Sequence, residues 1–260
     1  MKFNIFTNNR ELSLKLKEEV KTKLTNNGFI YNEEDYDIAI AIGGDGSFLH
    51  MVESASFNDN VLYVGINAGT LGFAQEISIE NINEFIANLK NNCYKIDYIG
   101  IEEIKINTKE STSHFNALNE VVVRDKELNA LTCDVKVDDS YLEKFIGDGL
   151  LVSTSFGSTA YNLSFGGAIV YNTFHTLQIT PIAPLNNKAY RTLLNSVLIP
   201  DNKKITIIPE KNSLLITIDG ENSYYNDVIS IEVYSSDKKI KCYRDNNYDF
   251  CKKINEKFLK

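Results

Sequence analysis

One stretch constrains this chain more than any other. Tyr36 to Ile42 is almost entirely apolar, as in a strand covered on both faces. Gly43-Gly44-Asp45-Gly46-Ser47 follows at once, and Phe48 to Ala55 then carries a helical pattern. Strand, glycine-rich turn and helix in that order make a unit of an α/β fold. The turn falls at the carboxyl edge of a parallel sheet, where open α/β folds bind ligands.

The neighbouring segments extend the pattern. Lys2 to Thr7 reads as a short apolar strand, and Val61 to Ile66 as a third buried one. Leu12, Leu16, Val20 and Leu24 recur every four residues, predicting an amphipathic helix, with Gly28 placed to end it. Ile79, Ile82, Phe85, Ile86 and Leu89 mark another helix, with Ser78 as its N-cap. These segments predict an α/β N-terminal domain with a parallel sheet over residues 1–95. From about Tyr94 the chain turns β-rich: Glu103–Asn107, Leu118–Arg124, Cys133–Val137, Leu150–Ser155, Leu177–Ile182, Ile205–Ile208, Leu214–Ile218 and Val228–Tyr234. Turn signals at Asp138-Asp139 and Asp219-Gly220 predict a mainly antiparallel C-terminal domain over residues 96–240. Residues 241–260 form a tail, helical from Asn247, whose lysine-rich stretch Lys252 to Lys260 reads as a solvated helix face.

Composition excludes several classes. The 260 residues suffice for one large domain or two modest ones. A net charge of −8 with scattered basic residues lacks the footprint of a nucleic-acid binder. It does not exclude an anionic nucleotide, which a glycine loop can hold locally. Met1 to Arg10 resembles neither a signal nor a transit peptide, and no apolar run is long enough to span a bilayer. A soluble, cytoplasmic protein with no membrane or nucleic-acid partner is expected. Cys93, Cys133, Cys242 and Cys251 lack the short spacings of a zinc or redox motif and read as reduced thiols. His50, His114 and His175 form no metal-binding pair, and neither a P-loop nor a nucleophile elbow occurs, so no protein metal ligands are assigned.

Four features carry candidate chemistry. In Gly43–Ser47 the glycines let the backbone approach a phosphate and present amides to it. Asp45 repels such a ligand unless it holds a metal or takes a proton, both of which serve phosphoryl transfer; a plain strand-to-helix turn capped by Asp45 or Ser47 is the alternative. Asn67-Ala68-Gly69-Thr70-Leu71-Gly72-Phe73, after the third strand, would face the same crevice, although such a loop taken alone is more often just a turn. Gly147 to Gly167 combines five glycines with a dense run of hydroxyls suited to phosphate or ribose oxygens, and Tyr161 offers a face to a flat base; a serine-rich hairpin is the alternative. Asn119-Glu120 suits ribose hydroxyls, but taken alone the dipeptide reads better as the start of a solvated strand.

Together these segments resemble the NAD kinase family: Gly43-Gly44-Asp45-Gly46, the Asn67–Phe73 loop, Asn119-Glu120, and Gly147–Gly167 with its Thr159-Ala160-Tyr161-x-x-Ser164 core. Their order and spacing agree with the short bacterial members. The resemblance implies two domains with the active site between them, ATP as phosphoryl donor, NAD as substrate, a divalent metal ion (Mg2+) and a homodimer or homotetramer. It implies Asp45 as the general base that takes the proton of the 2′-hydroxyl of the NAD adenosine ribose. Gly43, Gly44 and Gly46 would help hold phosphates. Phe73, Asn119, Glu120, Asp148, Thr159, Ala160, Tyr161, Asn162 and Ser164 match dinucleotide contacts, and His50 and Ala183 fall at further contact positions. The sequence departs from the pattern at Ile146, where many members carry a basic residue two positions before Asp148; Lys144 or another subunit would have to supply that charge. The first motif is shared with lipid kinases and phosphofructokinases, so a lipid or sugar kinase is one rival. A dinucleotide-binding regulator without catalysis is the other.

Overall fold

A computed structural model of the chain describes residues 1–69 and 72–260. Residues 1–99 and 239–260 form one compact unit, and residues 100–238 a second.

The first unit alternates strand and helix: β1 (Lys2–Thr7), α1 (Glu11–Asn26), β2 (Ile30–Tyr31), β3 (Ile38–Gly43), α2 (Asp45–Ser54), β4 (Leu62–Asn67), a 3-10 turn (Ile79–Asn81) and α3 (Ile82–Lys90). The strands pair in the order β2-β1-β3-β4, all parallel. Every residue of β3 is buried, which is why its run is almost wholly apolar. α1 buries Leu16, Val20 and Leu24, while Leu12 is exposed: the four-residue repeat starts one turn before the helix reaches the core. α3 buries Ile82, Phe85, Ile86 and Leu89. Ser78 stands at the N-cap of the 3-10 turn, but its side chain makes no capping hydrogen bond.

The second unit is built on β5 (Lys95–Thr108), β6 (Thr112–Ala117), β7 (Glu120–Asp125), β8 (Leu131–Val137), β9 (Ser140–Gly147), β10 (Gly149–Thr154), a 3-10 turn (Gly157–Thr159), α4 (Tyr161–Ser164), β11 (Thr176–Ile182), β12 (Val197–Pro200), β13 (Lys204–Pro209), β14 (Leu214–Ile218), β15 (Glu221–Tyr225) and β16 (Val228–Arg244). One antiparallel sheet runs β12-β11-β10-β7-β14-β15. In the other, β13 pairs with β16 and β8, β8 with β9, and β5 with β16 and β6. One apolar cluster draws on both sheets, with Val121, Val123, Leu150 and Val152 from the first and Val135, Phe145, Ile205 and Ile231 from the second. Asp138-Asp139 and Asp219-Gly220 are two-residue hairpin turns. Asp219 and Gly220 both have positive φ, 47° and 93°, as a type I′ turn requires.

The chain returns to the first unit at its end. Lys241 and Cys242 of β16 pair in parallel with Leu62 and Tyr63 of β4, and α5 (Phe250–Phe258) follows. Residues 239–260, set apart in sequence as a tail, therefore belong to the unit in which the chain began. The four cysteines are free. Among the described residues no helix is long and apolar enough to cross a membrane.

Candidate active site

In the first unit the site is built around the turn that joins β3 to α2. Gly43 ends the strand at φ 154°, and a Cβ there would lie 2.2 Å from the Ser47 Oγ, so only glycine fits. Gly44 and Gly46 differ: a Cβ on either would meet no described atom within 4 Å. The fold itself has room for side chains at these two positions, and the space they leave is available to a ligand at a helix N-terminus.

Asp45 is the first residue of α2. Its Oδ1 accepts from the Ala74 amide at 2.8 Å, and its Oδ2 from the Phe73 amide at 3.0 Å and the Lys257 Nζ at 3.0 Å. Burial pushes the carboxyl up, but the two amides and the Lys257 charge outweigh it and hold Asp45 below the usual carboxylate range. The amides arrive because the chain after β4 folds back on that strand. Glu76 and Ile77 both donate their amides to the Gly65 carbonyl, at 2.9 and 3.0 Å. A Cβ on Gly65 would stand 2.8 Å from the Ala74 carbonyl oxygen, so the returning chain passes where a side chain would otherwise be. Phe73 is 6% exposed, its ring 5.7 Å from that of Phe250 and 6.2 Å from that of Phe258 on α5. Thr70 and Leu71 of the expected Asn67–Phe73 loop lie outside the described residues. His50 is on α2 and exposed.

The expectation of a solvated face for Lys252 to Lys260 is corrected at two positions. Lys253 is 8% exposed and donates to the Gln75 carbonyl at 2.8 Å and to Glu76 Oε2 at 3.1 Å. Lys257 pairs with Asp45. Both lie on the face of α5 that meets the returning chain.

In the second unit β7, β10 and the turn after β10 gather the other candidates. Asp219, in the turn after β14, accepts from the amides of Leu118, Asn119 and Glu120 at 2.7, 2.7 and 3.2 Å and so fixes the start of β7. The 3-10 turn rests directly on Asn119: a Cβ on Gly157 would fall 2.1 Å from the Asn119 carbonyl oxygen. Here the hydroxyl run differs from expectation. Thr154 Oγ1 donates to the Leu118 carbonyl at 2.6 Å, Ser158 Oγ to the Ser155 carbonyl at 2.7 Å, and Ser155 Oγ to the Phe174 carbonyl. These buried hydroxyls satisfy the backbone of a tight, irregular segment. Asn162 is fully buried too; its Nδ2 donates to the Ser158 carbonyl at 3.2 Å and its Oδ1 accepts from Thr180 Oγ1 at 2.6 Å. Asn162 therefore shapes the segment from inside. Tyr161 and Ser164 are exposed, Ala160 is half-buried and Thr159 is buried.

Glu120, Val122, Arg124, Tyr161, Thr217 and Asn222 line a cavity of about 450 Å³ in this unit, a size suited to part of a nucleotide. Arg124 Nη2 donates to the Tyr161 hydroxyl at 3.0 Å, and the Phe165 ring meets Tyr161 edge-on at 4.7 Å. Glu120 is 6% exposed, and among the described residues its Oε2 has no hydrogen-bond partner. Burial, followed by the charge of Asp219, pushes its carboxyl up to about 8 against the opposing Tyr161 amide. Glu102, fully buried, is pushed up by burial and by Asp219 and Glu120 in turn. Glu120 thus presents a neutral carboxyl at pH 7, able to donate as well as accept. Arg124 was missed in sequence, although alternation along β7 puts Glu120, Val122 and Arg124 on one face.

The remaining candidates sit at the junction of β9, β10 and β11. Asp148 is exposed and donates its amide to the Ile182 carbonyl at 2.9 Å, next to Ala183, which is also exposed and has φ 44°. Ile146, the departure from the expected basic residue, is buried, and Lys144 is paired with Glu210. Among the described residues no group of three or more His, Cys, Asp or Glu side chains is arranged to hold a metal ion. The Asp45 oxygens, which face two amides and an ammonium, do not fit a cation.

Residues 5–94 match the model of the ATP-NAD kinase N-terminal domain, and residues 118–244 that of the ATP-NAD kinase C-terminal domain. An NAD kinase of Finegoldia magna is 40% identical over 247 residues, covering 91% of this chain and 90% of that protein. The fold is that of a yeast NADH kinase solved with NADH (TM-score 0.87, 21% identity, 100% of this chain and 87% of the other). It is also that of an Archaeoglobus fulgidus NAD kinase solved with ATP (TM-score 0.75, 18% identity, 98% and 99%). An α/β unit bearing a glycine turn, joined to a β-rich unit with a cavity that could take part of a nucleotide, is on these matches a phosphotransferase. The chain belongs to the NAD kinase family.

Proposed function

We propose that the chain moves the γ-phosphoryl group of ATP to the 2′-hydroxyl of the adenosine ribose of NAD, with Asp45 as the general base. The observation that carries this reading is the Asp45 carboxylate at the head of α2, kept ionised by the Phe73 and Ala74 amides and by Lys257. In the proposed step the ribose oxygen forms its bond to the γ-phosphorus, the bond from that phosphorus to the β,γ-bridging oxygen breaks, and ADP leaves. The hydroxyl proton passes to Asp45. A carboxylate of low proton affinity is a weak base for a ribose hydroxyl, so it acts late, once bonding to phosphorus has acidified the hydroxyl. Alignment and charge neutralisation supply most of the rate.

The second unit supports NAD binding. The neutral Glu120 carboxyl and Asn119 suit ribose hydroxyls, and Tyr161, braced by Arg124 and Phe165, suits a flat base. Gly43, Gly44 and Gly46 at the head of α2 suit phosphate oxygens. Asp148, Ala183, His50, Thr159, Ala160, Asn162, Ser164 and Phe73 complete the proposed contact set, with Asn162 and Phe73 acting from within. Among the described residues no side-chain cluster suits a divalent cation, and in this reading Mg2+ arrives with ATP, as part of the substrate. A homodimer or homotetramer in the cytoplasm belongs to the same reading. Tyr190, Leu193, Leu194 and Leu198, exposed between β11 and the end of β12, are the apolar residues that would favour self-association.

The test is NADP formation from NAD, Mg2+ and ATP by the purified protein, read with an NADP-specific dehydrogenase. Asp45→Asn is expected to lose turnover by about 10²–10⁴-fold while NAD affinity changes little. Near-normal turnover by that variant would remove Asp45 from the base role. No NADP from the folded wild type, with polyphosphate or Mn2+ also tried, would sink the acceptor and donor assignment.

A further inference from the structure

We propose that Lys257, on the C-terminal helix, is a positioning residue for the Asp45 carboxylate, which makes α5 part of the phosphoryl-transfer apparatus. The proposal rests on Asp45 being the base. Its observation is separate: a lysine 212 residues away in sequence donates to Asp45 Oδ2 at 3.0 Å.

The contact is built in from several sides. Asp249 caps α5 by accepting from the Lys252 amide at 3.0 Å. Phe250 and Phe258, at the two ends of the helix, hold the Phe73 ring between them. Lys253, one turn before Lys257, is anchored on the Gln75 carbonyl and Glu76. The helix thus grips the segment whose Phe73 and Ala74 amides reach Asp45, and Lys257 adds the side-chain donor to the same carboxylate. Two amides set the plane of the carboxylate, and the ammonium fixes which oxygen faces the helix.

Stability is a poor account of this pair. The Lys257 side chain is 21% exposed and that of Asp45 38%, so the half-buried pair is still partly screened by water and offsets the desolvation of its own charges with only a modest net gain in folding. Lys257 also makes Asp45 a weaker base by favouring its ionised form. A transition state with little covalent demand on the base tolerates that loss and profits from exact placement of the carboxylate. The charged groups facing Asp45 are Lys257 and, farther off, Lys253, both from α5; Glu76, in the returning chain, answers Lys253, and His50 shares α2 with Asp45.

The experiment compares Lys257→Met, Lys257→Gln and Lys257→Arg in the full chain, recording kcat, the KM for NAD, thermal midpoint and the pH profile of kcat. With the ammonium gone, Asp45 takes up its proton at higher pH, so the acid limb of the profile should move upward. Lys257→Met and Lys257→Gln are expected to lose about tenfold in kcat, a fraction of full general-base catalysis, with KM for NAD and the midpoint nearly unchanged. Lys257→Arg is expected to recover most of the rate and to return the acid limb. An acid limb that stays in place in both neutral variants, or an arginine variant as impaired as they are, overturns the proposal. Asp45→Asn in the same assay separates the two ideas. If it keeps its turnover, the base assignment fails and the role of Lys257 fails with it; if it is inactive while the acid limb of the neutral variants stays put, only the role of Lys257 fails.

Discussion

Two carboxylates meet opposite fates in this chain. Asp45 is surrounded by donors and stays ionised; Glu120 is buried near Asp219 and Glu102 and keeps its proton up to about pH 8. In the unfolded chain Glu120 would ionise at an ordinary carboxylate pH, so the folded state binds more protons from that value up to about pH 8. Stability from this group must therefore fall as pH rises through that window. Glu120→Gln, which cannot ionise, is expected to match the wild type at pH 5 and to exceed it by a few kcal/mol at about pH 9 in urea unfolding. Identical pH dependence in the two proteins would show that Glu120 is not held neutral. For NAD itself, Tyr161→Ala is expected to raise KM about tenfold with a small change in kcat, the loss of one aromatic contact. A fall in kcat at unchanged KM would place Tyr161 in the chemical step instead. Asp45 draws attention in sequence because a carboxylate inside a glycine turn stands out from its neighbours; Asn119-Glu120 does not, and only the family resemblance marks it. Lys257 was not legible, because its partner is remote and a lysine-rich helix end has the composition of a solvated face.

Elements were legible where one face is apolar. β3, β4, α1 and α3 bury continuous or periodic apolar sets, and the sequence pattern finds each. β6 and β15 were missed because most of their residues are exposed, so Thr112–Ala117 and Glu221–Tyr225 lack an apolar alternation. β12 is four residues ending in Pro200. β9 follows the recognised Asp138-Asp139 turn but carries Glu143 and Lys144 within it, and its irregular pairing near Val135/Lys136 breaks the period of two. The hydroxyl-rich segment was misjudged in detail because composition cannot tell a hydroxyl that serves a ligand from one that serves a carbonyl. Glycines divide in the same way: Gly65 and Gly157 admit other parts of the chain, whereas Gly44 and Gly46 border open space. Gly65→Val would push back the chain at Ala74 and Gln75 and withdraw the amides from Asp45. The expected cost is about 1–3 kcal/mol of stability, as for overpacking elsewhere, with a loss of kcat greater than the loss of NAD affinity. Unchanged kinetics in a destabilised variant would show that Asp45 does not depend on that return.

At the scale of the whole chain, the first unit is discontinuous: residues 239–260 close what residues 1–99 begin. A pattern read from one end to the other assigns such a segment to a tail, since nothing local marks its partner. The placement has a physical consequence. Phe73 is buried partly by Phe250 and Phe258, and the Gln75 carbonyl and Glu76 are engaged by Lys253. The segment that reaches Asp45 is buried, with Phe73 6%, Ala74 4% and Gln75 2% exposed, and the end of the chain supplies part of that burial. A protein ending at Asn247 retains β16 and its pairing with β4, and loses α5 together with Tyr248, whose ring centroid lies 4.7 Å from the Arg244 guanidinium. The core of β1, β3 and β4 should survive, because its contacts do not involve residues 248–260. The amides of Phe73 and Ala74 are expected to lose most of their protection from hydrogen exchange, while those of β1 and β3 keep theirs, since local opening follows the loss of local buried contacts. Turnover should fall with them, by at least as much as in Lys257→Met, because the truncation removes the ammonium and loosens both amide donors at once. Full protection at Phe73 and Ala74 in the shortened chain would mean that the return over Gly65 is self-supporting, and that α5 acts on Asp45 through Lys257 alone.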